Sequence, residues 1–219
     1  MRVLSIKKIL ELGPVIPVIV IDEVENSLAL VDALLEGGIK VIEVTLRTKV
    51  ALLVMEKISR CRPEIILGAG TILNSEQARR AKDVGAKFGV SPGTSEDIII
   101  GCKKVNLPLL PGAATVSEMI SLSKKGFSEV KFFPAVAAGG IEFVKSLISP
   151  MPFLKICPTG GITAVTAPKW LALSNVPSVG GSWIASKDDI SRQDFSGILI
   201  RAKEATALSG FEQVLRSQT

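Results

Sequence analysis

One amine lies within an apolar segment of the sequence, because Lys131 is flanked by Val130, Phe132, Phe133 and Pro134. Burying an ammonium group strips its water, so burial lowers the pKa of an amine and favours its neutral form. A neutral amine can attack a ketone and form a Schiff base. The alternative is a side chain that only extends past the end of a strand to reach solvent. The segment alone favours neither interpretation.

A carboxylate and a guanidinium, those of Glu43 and Arg47, alternate with aliphatic residues in the segment 40–47. Strand side chains point alternately to two faces, so Glu43 and Arg47 share the face opposite the aliphatic one. The same alternation places Lys131 opposite its apolar neighbours. An amine that faces a carboxylate suffices for Schiff-base chemistry: the amine holds the carbonyl carbon as an iminium, and the carboxylate moves protons, often through a water. A structural ion pair between Glu43 and Arg47 is the alternative.

Eight short apolar segments, most separated by stretches with helical spacing, must position these residues. The segments are residues 15–21, 40–46, 65–70, 87–91, 107–111, 129–133, 154–159 and 177–181. Strand–helix alternation indicates a parallel sheet, and eight units in 219 residues predict an α/β fold made of one (β/α)8 TIM barrel over residues 1–219. A helix at 5–12 precedes the first strand, and a surface helix at 195–208 with a tail follows the last. A doubly wound open sheet is the alternative, but no G-x-G-x-x-G follows the first strand.

Composition narrows the possible chemistry and partners. The sequence has no histidine, which excludes Ser-His-Asp and Cys-His catalysis. Its three cysteines, Cys61, Cys102 and Cys157, form neither a disulfide framework nor a zinc set, so we expect no metal, no cofactor and a reducing cytoplasm. The net charge of +5 is scattered and 5% of residues are aromatic, so no nucleic-acid partner is expected. No apolar stretch has the length of a membrane span, and charges interrupt residues 1–13, so neither a membrane partner nor a signal peptide is predicted.

The seventh and eighth strands end in glycine pairs, at residues 160–161 and 180–181. In barrels, the loops after these two strands often bind a phosphate through backbone N–H groups, which glycine lets a ligand approach closely. Ser182 adds a hydroxyl donor, and Thr71 places another at the end of the third strand. The Pro-Gly pairs at 92–93 and 111–112 alone indicate only turns.

The chain resembles the class I 2-keto-3-deoxy-6-phosphogluconate (KDPG) aldolases, which often also cleave 4-hydroxy-2-oxoglutarate (KHG). Two segments, EVTLR at 43–47 and KFFPA at 131–135, are the most specific. The other matching segments occur in order along the chain: PVIPV at 14–18, GAGT at 68–71, SPG at 91–93, PG at 111–112, PTGG at 158–161 and GGSW at 180–183. Val136 departs from the pattern, since the family often has an acidic residue there, and Ala113-Ala114 stand where bulkier or hydroxyl residues are usual.

The resemblance implies a homotrimeric lyase of the Entner-Doudoroff pathway of carbohydrate metabolism. It implies that Lys131 forms the Schiff base and that Glu43 is the general acid/base. The phosphorylated keto acid would be cleaved to pyruvate and glyceraldehyde 3-phosphate, and KHG to pyruvate and glyoxylate. The residues that the resemblance assigns to the pyruvate end are Arg47, Thr71, Pro92 and Phe133. Those that it assigns to the far end and its phosphate are Thr159, Gly160, Gly161, Gly181 and Ser182.

Two other functions are compatible with the residues. One is a sugar-phosphate isomerase or epimerase that uses Glu43 as base, with Lys131 acting only through its charge. The other is a non-catalytic phosphosugar-binding barrel, which the inward Lys131, Glu43 and Arg47 disfavour because an inert core is better filled with apolar side chains. The sequence leaves open the stereochemistry at C4 and the choice between phosphorylated and unphosphorylated substrate.

Overall fold

Strands and helices alternate along residues 4–208, which are the residues that the computed structural model describes. The strands are β1 (Val15–Ile19), β2 (Val41–Thr45), β3 (Ile66–Gly70), β4 (Phe88–Val90), β5 (Leu109–Leu110), β6 (Gly112–Ala113), β7 (Glu129–Phe132), β8 (Lys155–Pro158) and β9 (Val179–Gly181). The helices are α1 (Ile6–Leu10), α2 (Ser27–Glu36), α3 (Ala51–Cys61), α4 (Ser75–Asp83), α5 (Glu96–Lys104), α6 (Val116–Lys124), α7 (Gly140–Ser146), α8 (Ala167–Leu171), α9 (Lys187–Ser191) and α10 (Phe195–Thr206).

The strands form two parallel sheets, which confirms the α/β class. One sheet has six strands in the order β5-β4-β3-β2-β1-β9, and the other has three in the order β6-β7-β8. Residues 4–208 thus contain nine strands where eight were predicted, and the closure of the two sheets into one barrel remains a prediction. The predicted fifth strand, 107–111, is observed as β5, and the extra strand β6 begins directly after Pro111, whose missing N–H cannot donate to a ladder. Beyond the ends of the sheets, Thr159 after β8 forms a parallel bridge with Gly180 of β9.

Two apolar clusters fill the fold on opposite faces of the strands. The larger lies between strands and helices and includes Ile42, Val44, Val130 and Phe132. The smaller lies on the other face, where α1 packs against side chains near the strands' amino ends; its members are Ile6, Ile9, Leu10, Ile16, Val41, Phe88, Val90, Leu110 and Cys157. The predicted division of strand residues into two faces is therefore confirmed for β2 and β7.

Caps fix the ends of several helices. Asn74 caps α4, since its side chain accepts the N–H of Gln77 at 2.9 Å. The helix α2 ends at Glu36, and Gly37 is its C-cap. The terminal helix is α10, and the predicted tail after residue 208 lies outside the described residues. No helix within residues 4–208 is long and apolar enough to cross a membrane.

Candidate active site

The amine of Lys131 is in direct contact with the carboxylate of Glu43. Lys131 Nζ lies 3.0 Å from Glu43 Oε1 and 3.3 Å from Oε2. Lys131 is 4% exposed and Glu43 is 3% exposed, so both groups have lost most of their water. A buried charge is costly unless it is paired, and here each group is the partner of the other. The structure therefore brings together the two residues that the sequence assigns to proton transfer and Schiff-base formation.

Two glycines of β3 make room for the Glu43 side chain and its neighbours. A Cβ on Gly70 would overlap the carboxyl group of Glu43, and a Cβ on Gly68 would overlap the ring of Phe88. These glycines alternate along β3, and Gly68 is the register partner of Glu43. This role was not predicted from the sequence, although glycines at alternate strand positions signal a close approach from another element.

Arg47 and Thr71 lie beyond the ends of β2 and β3, at the carboxyl edge of the sheet. The guanidinium Nε of Arg47 donates to the hydroxyl of Thr71 at 3.2 Å. Thr71 has a φ of 60°, a left-handed conformation that is strained for a β-branched residue and is typical of functional sites. Arg47 is exposed, and no carboxylate in the part of the chain that the structure describes forms an ion pair with it. Its guanidinium is therefore free to pair with an anionic ligand.

The ring of Phe133 forms a wall beside the amine. Lys131 Nζ lies 5.6 Å from the centre of this ring, within the range of a cation–π interaction. A Cβ built on Gly160 would lie 3.3 Å from the ring, so the same ring lies close to both Lys131 and Gly160. Pro92 is half-buried, and its carbonyl group lies against Gly112, the register partner of Lys131.

The predicted phosphate-binding residues come together at the ends of β8 and β9. Gly160 and Gly161 have φ values of 103° and 79°, so both adopt conformations that disfavour any other residue. Thr159 bridges to Gly180, which brings this turn beside Gly181 and the exposed Ser182: the five assigned residues Thr159, Gly160, Gly161, Gly181 and Ser182 form one rim. We call this rim the glycine cradle.

Val136, which departs from the family pattern, lies against the glycine cradle. A Cβ on Gly161 would come within 2.9 Å of the Val136 Cβ. The backbone N–H of Val136 donates to the carbonyl of Gly160 at 3.1 Å. Val136 is an exposed apolar residue at this rim. The substitution therefore affects the far end of the cavity and not the Lys131–Glu43 contact.

Cys157 is a further residue beside the amine, and its position there was not predicted from the sequence. It is the register partner of Lys131 on β8 and is buried. Burial raises the pKa of the Cys157 thiol to about 11, and the nearby Lys131 only partly opposes this shift. The thiol is therefore uncharged near neutral pH and is not a thiolate nucleophile. The alternation of side chains along β8 could have predicted that Cys157 lies on the same face of the sheet as Lys131.

Residues 6–200 match the family model described as "Aldolase: KDPG and KHG aldolase". The chain is 40% identical over 201 residues to the "KHG/KDPG aldolase" of Escherichia coli strain K12, covering 92% of this chain and 94% of the relative. A solved structure of KDPG aldolase from Legionella pneumophila, with pyruvate captured at low pH as a covalent carbinolamine intermediate, is 41% identical. It has a TM-score of 0.89 and the alignment covers 91% of this chain and 97% of that one.

A second solved structure is similar over nearly the whole chain. It is the 2-keto-3-deoxy-6-phosphogluconate aldolase of Zymomonas mobilis ZM4 with 3-phosphoglycerate. It is 37% identical, with a TM-score of 0.87 and coverage of 95% of this chain and 98% of that one.

Proposed function

The chain belongs to the KDPG and KHG aldolase family, and we propose that it is a carbon–carbon lyase that cleaves KDPG to pyruvate and glyceraldehyde 3-phosphate through a Schiff base on Lys131. The same site cleaves KHG to pyruvate and glyoxylate. The observation that carries this proposal is the buried contact of 3.0 Å between the amine of Lys131 and the carboxylate of Glu43. It joins a nucleophile to a proton acceptor in a space from which water is largely excluded.

Schiff-base formation begins when the amine of Lys131 gives up a proton to Glu43 and attacks C2 of the keto acid. Glu43 returns the proton to the oxygen of the resulting carbinolamine, the oxygen leaves as water, and an iminium remains with Glu43 again a carboxylate. A related structure, that of the Legionella pneumophila enzyme, holds pyruvate as such a carbinolamine.

Carbon–carbon cleavage follows because the iminium accepts electrons. Glu43, acting through a water, takes the proton of the C4 hydroxyl as the C3–C4 bond breaks. The bonding electrons pass to the iminium and produce an enamine on Lys131, while the aldehyde leaves. Protonation of the enamine at C3 restores an iminium, and its hydrolysis releases pyruvate and the free amine.

Substrate binding in this proposal uses the two rims of the cavity. Arg47 binds the substrate carboxylate through paired N–H groups, with the hydroxyl of Thr71 beside it. Pro92 and Phe133 enclose the pyruvate carbons. The glycine cradle binds the phosphate at the far end through backbone N–H groups and the Ser182 hydroxyl. The exposed, unpaired guanidinium of Arg47 and the left-handed glycines support these assignments.

The proposal extends to the whole assembly. We infer that residues 1–219 form one domain, that the two sheets close into one (β/α)8 barrel, and that three copies associate in the cytoplasm. The Thr159–Gly180 bridge supports closure on one side, and on the other β5 and β6 are successive parts of one chain segment. The trimer follows from the family resemblance and the cytoplasm from the cysteine pattern. Analytical ultracentrifugation of the purified protein measures the number of copies.

Borohydride trapping with pyruvate tests the proposed chemistry. Mass spectrometry should find reduced pyruvate attached to Lys131, and Lys131→Ala should lose both the adduct and turnover. Lys131→Arg should also lose the adduct and turnover, because a guanidinium stays protonated. Lys155→Arg is the matched control: it alters the lysine at the start of the neighbouring strand and should keep both.

An adduct on another residue, or none, contradicts the proposal. Absence of an adduct together with isomerisation of a sugar phosphate would favour the isomerase alternative. Absence of both cleavage and proton exchange at the pyruvate methyl group would favour a non-catalytic binding protein. Comparing kcat/KM for KDPG and KHG then decides which substrate is preferred.

A further inference from the structure

The hydrogen-bond ladder between β4 and the next segment of chain stops one strand away from Lys131. The backbone N–H of Ser91 still donates to the carbonyl of Leu110, at 3.3 Å. Alternate residues of a parallel strand face the same neighbour, so the next N–H on this side belongs to Gly93, and among the described residues it donates to no carbonyl of segment 111–113. Gly112 therefore reaches this position with its N–H and C=O directed at a strand that has ended.

Two hydroxyl groups replace the missing ladder. The hydroxyl of Ser91 accepts the N–H of Gly112 at 3.2 Å, and the hydroxyl of Thr94 donates to the carbonyl of Gly112 at 2.9 Å. The two hydroxyls are 3.3 Å apart, and Ser91 is fully buried. A Cβ on Gly112 would overlap the backbone of Ser91 and Pro92, so this close approach requires glycine. We call Ser91 and Thr94 the hydroxyl clamp.

The hydroxyl clamp acts on the strand that holds the backbone of Lys131. Gly112 is the register partner of Lys131, and the N–H of Lys131 donates to the carbonyl of Pro111 at 2.8 Å. The N–H of Phe133 donates to the carbonyl of Ala113. The segment 111–113 is thus held by hydroxyls on one side and carries Lys131 and Phe133 on the other.

We propose that Ser91 and Thr94 are positioning residues for the Schiff-base lysine. Resting on the proposed function above, this inference adds that the hydroxyl clamp sets the distance between the amine of Lys131 and its carboxylate. Without one hydroxyl, a buried peptide group of Gly112 has no partner, and such a group costs enough free energy to shift the local backbone. A shift of segment 111–113 moves β7, and with it the amine.

Thr94→Val tests the clamp, because valine keeps the shape of threonine and lacks the hydroxyl. We expect kcat to fall by about tenfold, since misplacing a reacting group by about 1 Å costs about 100-fold and a partial shift costs less. KM should change little, because Arg47 and the glycine cradle are untouched. The pH midpoint of borohydride trapping of pyruvate should shift, and Thr94→Ser, which restores the hydroxyl, should return kcat and the midpoint toward wild type.

The matched control is Thr206→Val. Thr206 is likewise half-buried and donates its hydroxyl to a backbone carbonyl, that of Gly37, at 3.0 Å, but it lies on α10. This variant should lower the melting temperature and leave the kcat and the pH midpoint unchanged. If Thr94→Val likewise lowers the melting temperature but leaves kcat and the pH midpoint unchanged, the hydroxyl clamp is merely structural and the inference is wrong.

Two further outcomes are decisive. If Thr94→Val does not fold, Ser91→Ala removes the other hydroxyl and replaces that variant in the same measurements. If neither variant folds, the two hydroxyls maintain the fold, and a positioning role is contradicted. If wild-type protein forms no adduct on Lys131, the proposed function fails instead. The adduct on wild-type Lys131 thus tests the proposed function. The kcat and the pH midpoint of the variant, each compared with wild type, test the hydroxyl clamp.

Discussion

Substitution of Gly70 by alanine should separate the role of Glu43 from that of Lys131. A Cβ at residue 70 would lie 2.6 Å from Cγ and 2.7 Å from Cδ of Glu43. Unbonded carbon atoms prefer separations of about 3.5–4.0 Å, so the carboxyl group must move by about 1 Å. Its contact of 3.0 Å with the amine of Lys131 is then lost. The backbone at Gly70 has no left-handed φ, so alanine fits the strand itself.

The expected result is a fall in kcat of about 100-fold, because a misplacement of about 1 Å costs that much. This equals about 2.7 kcal/mol of transition-state stabilisation. KM should stay near the wild-type value, since Arg47 and the glycine cradle lie elsewhere. Pyruvate release is followed with lactate dehydrogenase, and borohydride should still trap pyruvate on Lys131, although more slowly.

Gly13→Ala is the control for this substitution. A Cβ at Gly13 meets nothing within 4 Å, so the same chemical change should leave kcat unaltered. If Gly70→Ala keeps the wild-type kcat while folding normally, then the position of the Glu43 carboxylate does not govern proton transfer, and the assigned role of Glu43 is wrong.

Two other predictions concern Arg47 and Glu118. Arg47→Lys should raise KM about tenfold with a smaller change in kcat, because an ammonium cannot pair with the substrate carboxylate at two points; an unchanged KM would show that Arg47 does not bind it. The backbone N–H of Ala114 donates to the carboxylate of Glu118 and holds the pKa of that carboxyl group below its ordinary value of 4.5. Its stabilising effect is therefore complete above that value and is lost as the pH falls. Glu118→Gln should lower the free energy of unfolding by roughly 0.3–1 kcal/mol at neutral pH, because glutamine keeps the acceptor oxygen of the cap but lacks the negative charge at the amino end of α6. In urea unfolding this difference should vanish in strong acid, and a difference that persists there would contradict the assignment.

The inward placement of Glu43 and Lys131 could be predicted from the sequence because strand side chains alternate with a period of two. The aliphatic residues of β2 and the apolar neighbours of Lys131 identify the helix-facing side without knowledge of any partner strand. The glycine cradle was predictable for a similar reason, since paired glycines at the ends of successive strands mark close approaches of backbone.

What the sequence could not predict depends on which segments meet. Gly70 is required because Glu43 extends across it, and neither residue alone reveals the other. The predicted fifth strand ended at Pro111, and the separate strand β6 beyond it was not predicted, because it forms by pairing with β7 and not with β4. The hydroxyl clamp joins Ser91 and Thr94 to Gly112, about twenty residues away on the next strand. Such contacts follow from tertiary packing, which the propensities of neighbouring residues do not determine.

The helix α1 affects the side from which reactants enter and products leave the cavity. Its apolar side chains Ile9 and Leu10 pack among the inward residues near the strands' amino ends, beneath the amine. Apolar side chains therefore close this end of the cavity, so we expect reactants and products to pass on the side of Arg47 and the glycine cradle. In the proposed mechanism both products use that side in a fixed order, because the pyruvate carbons are still bonded to Lys131 when the aldehyde leaves.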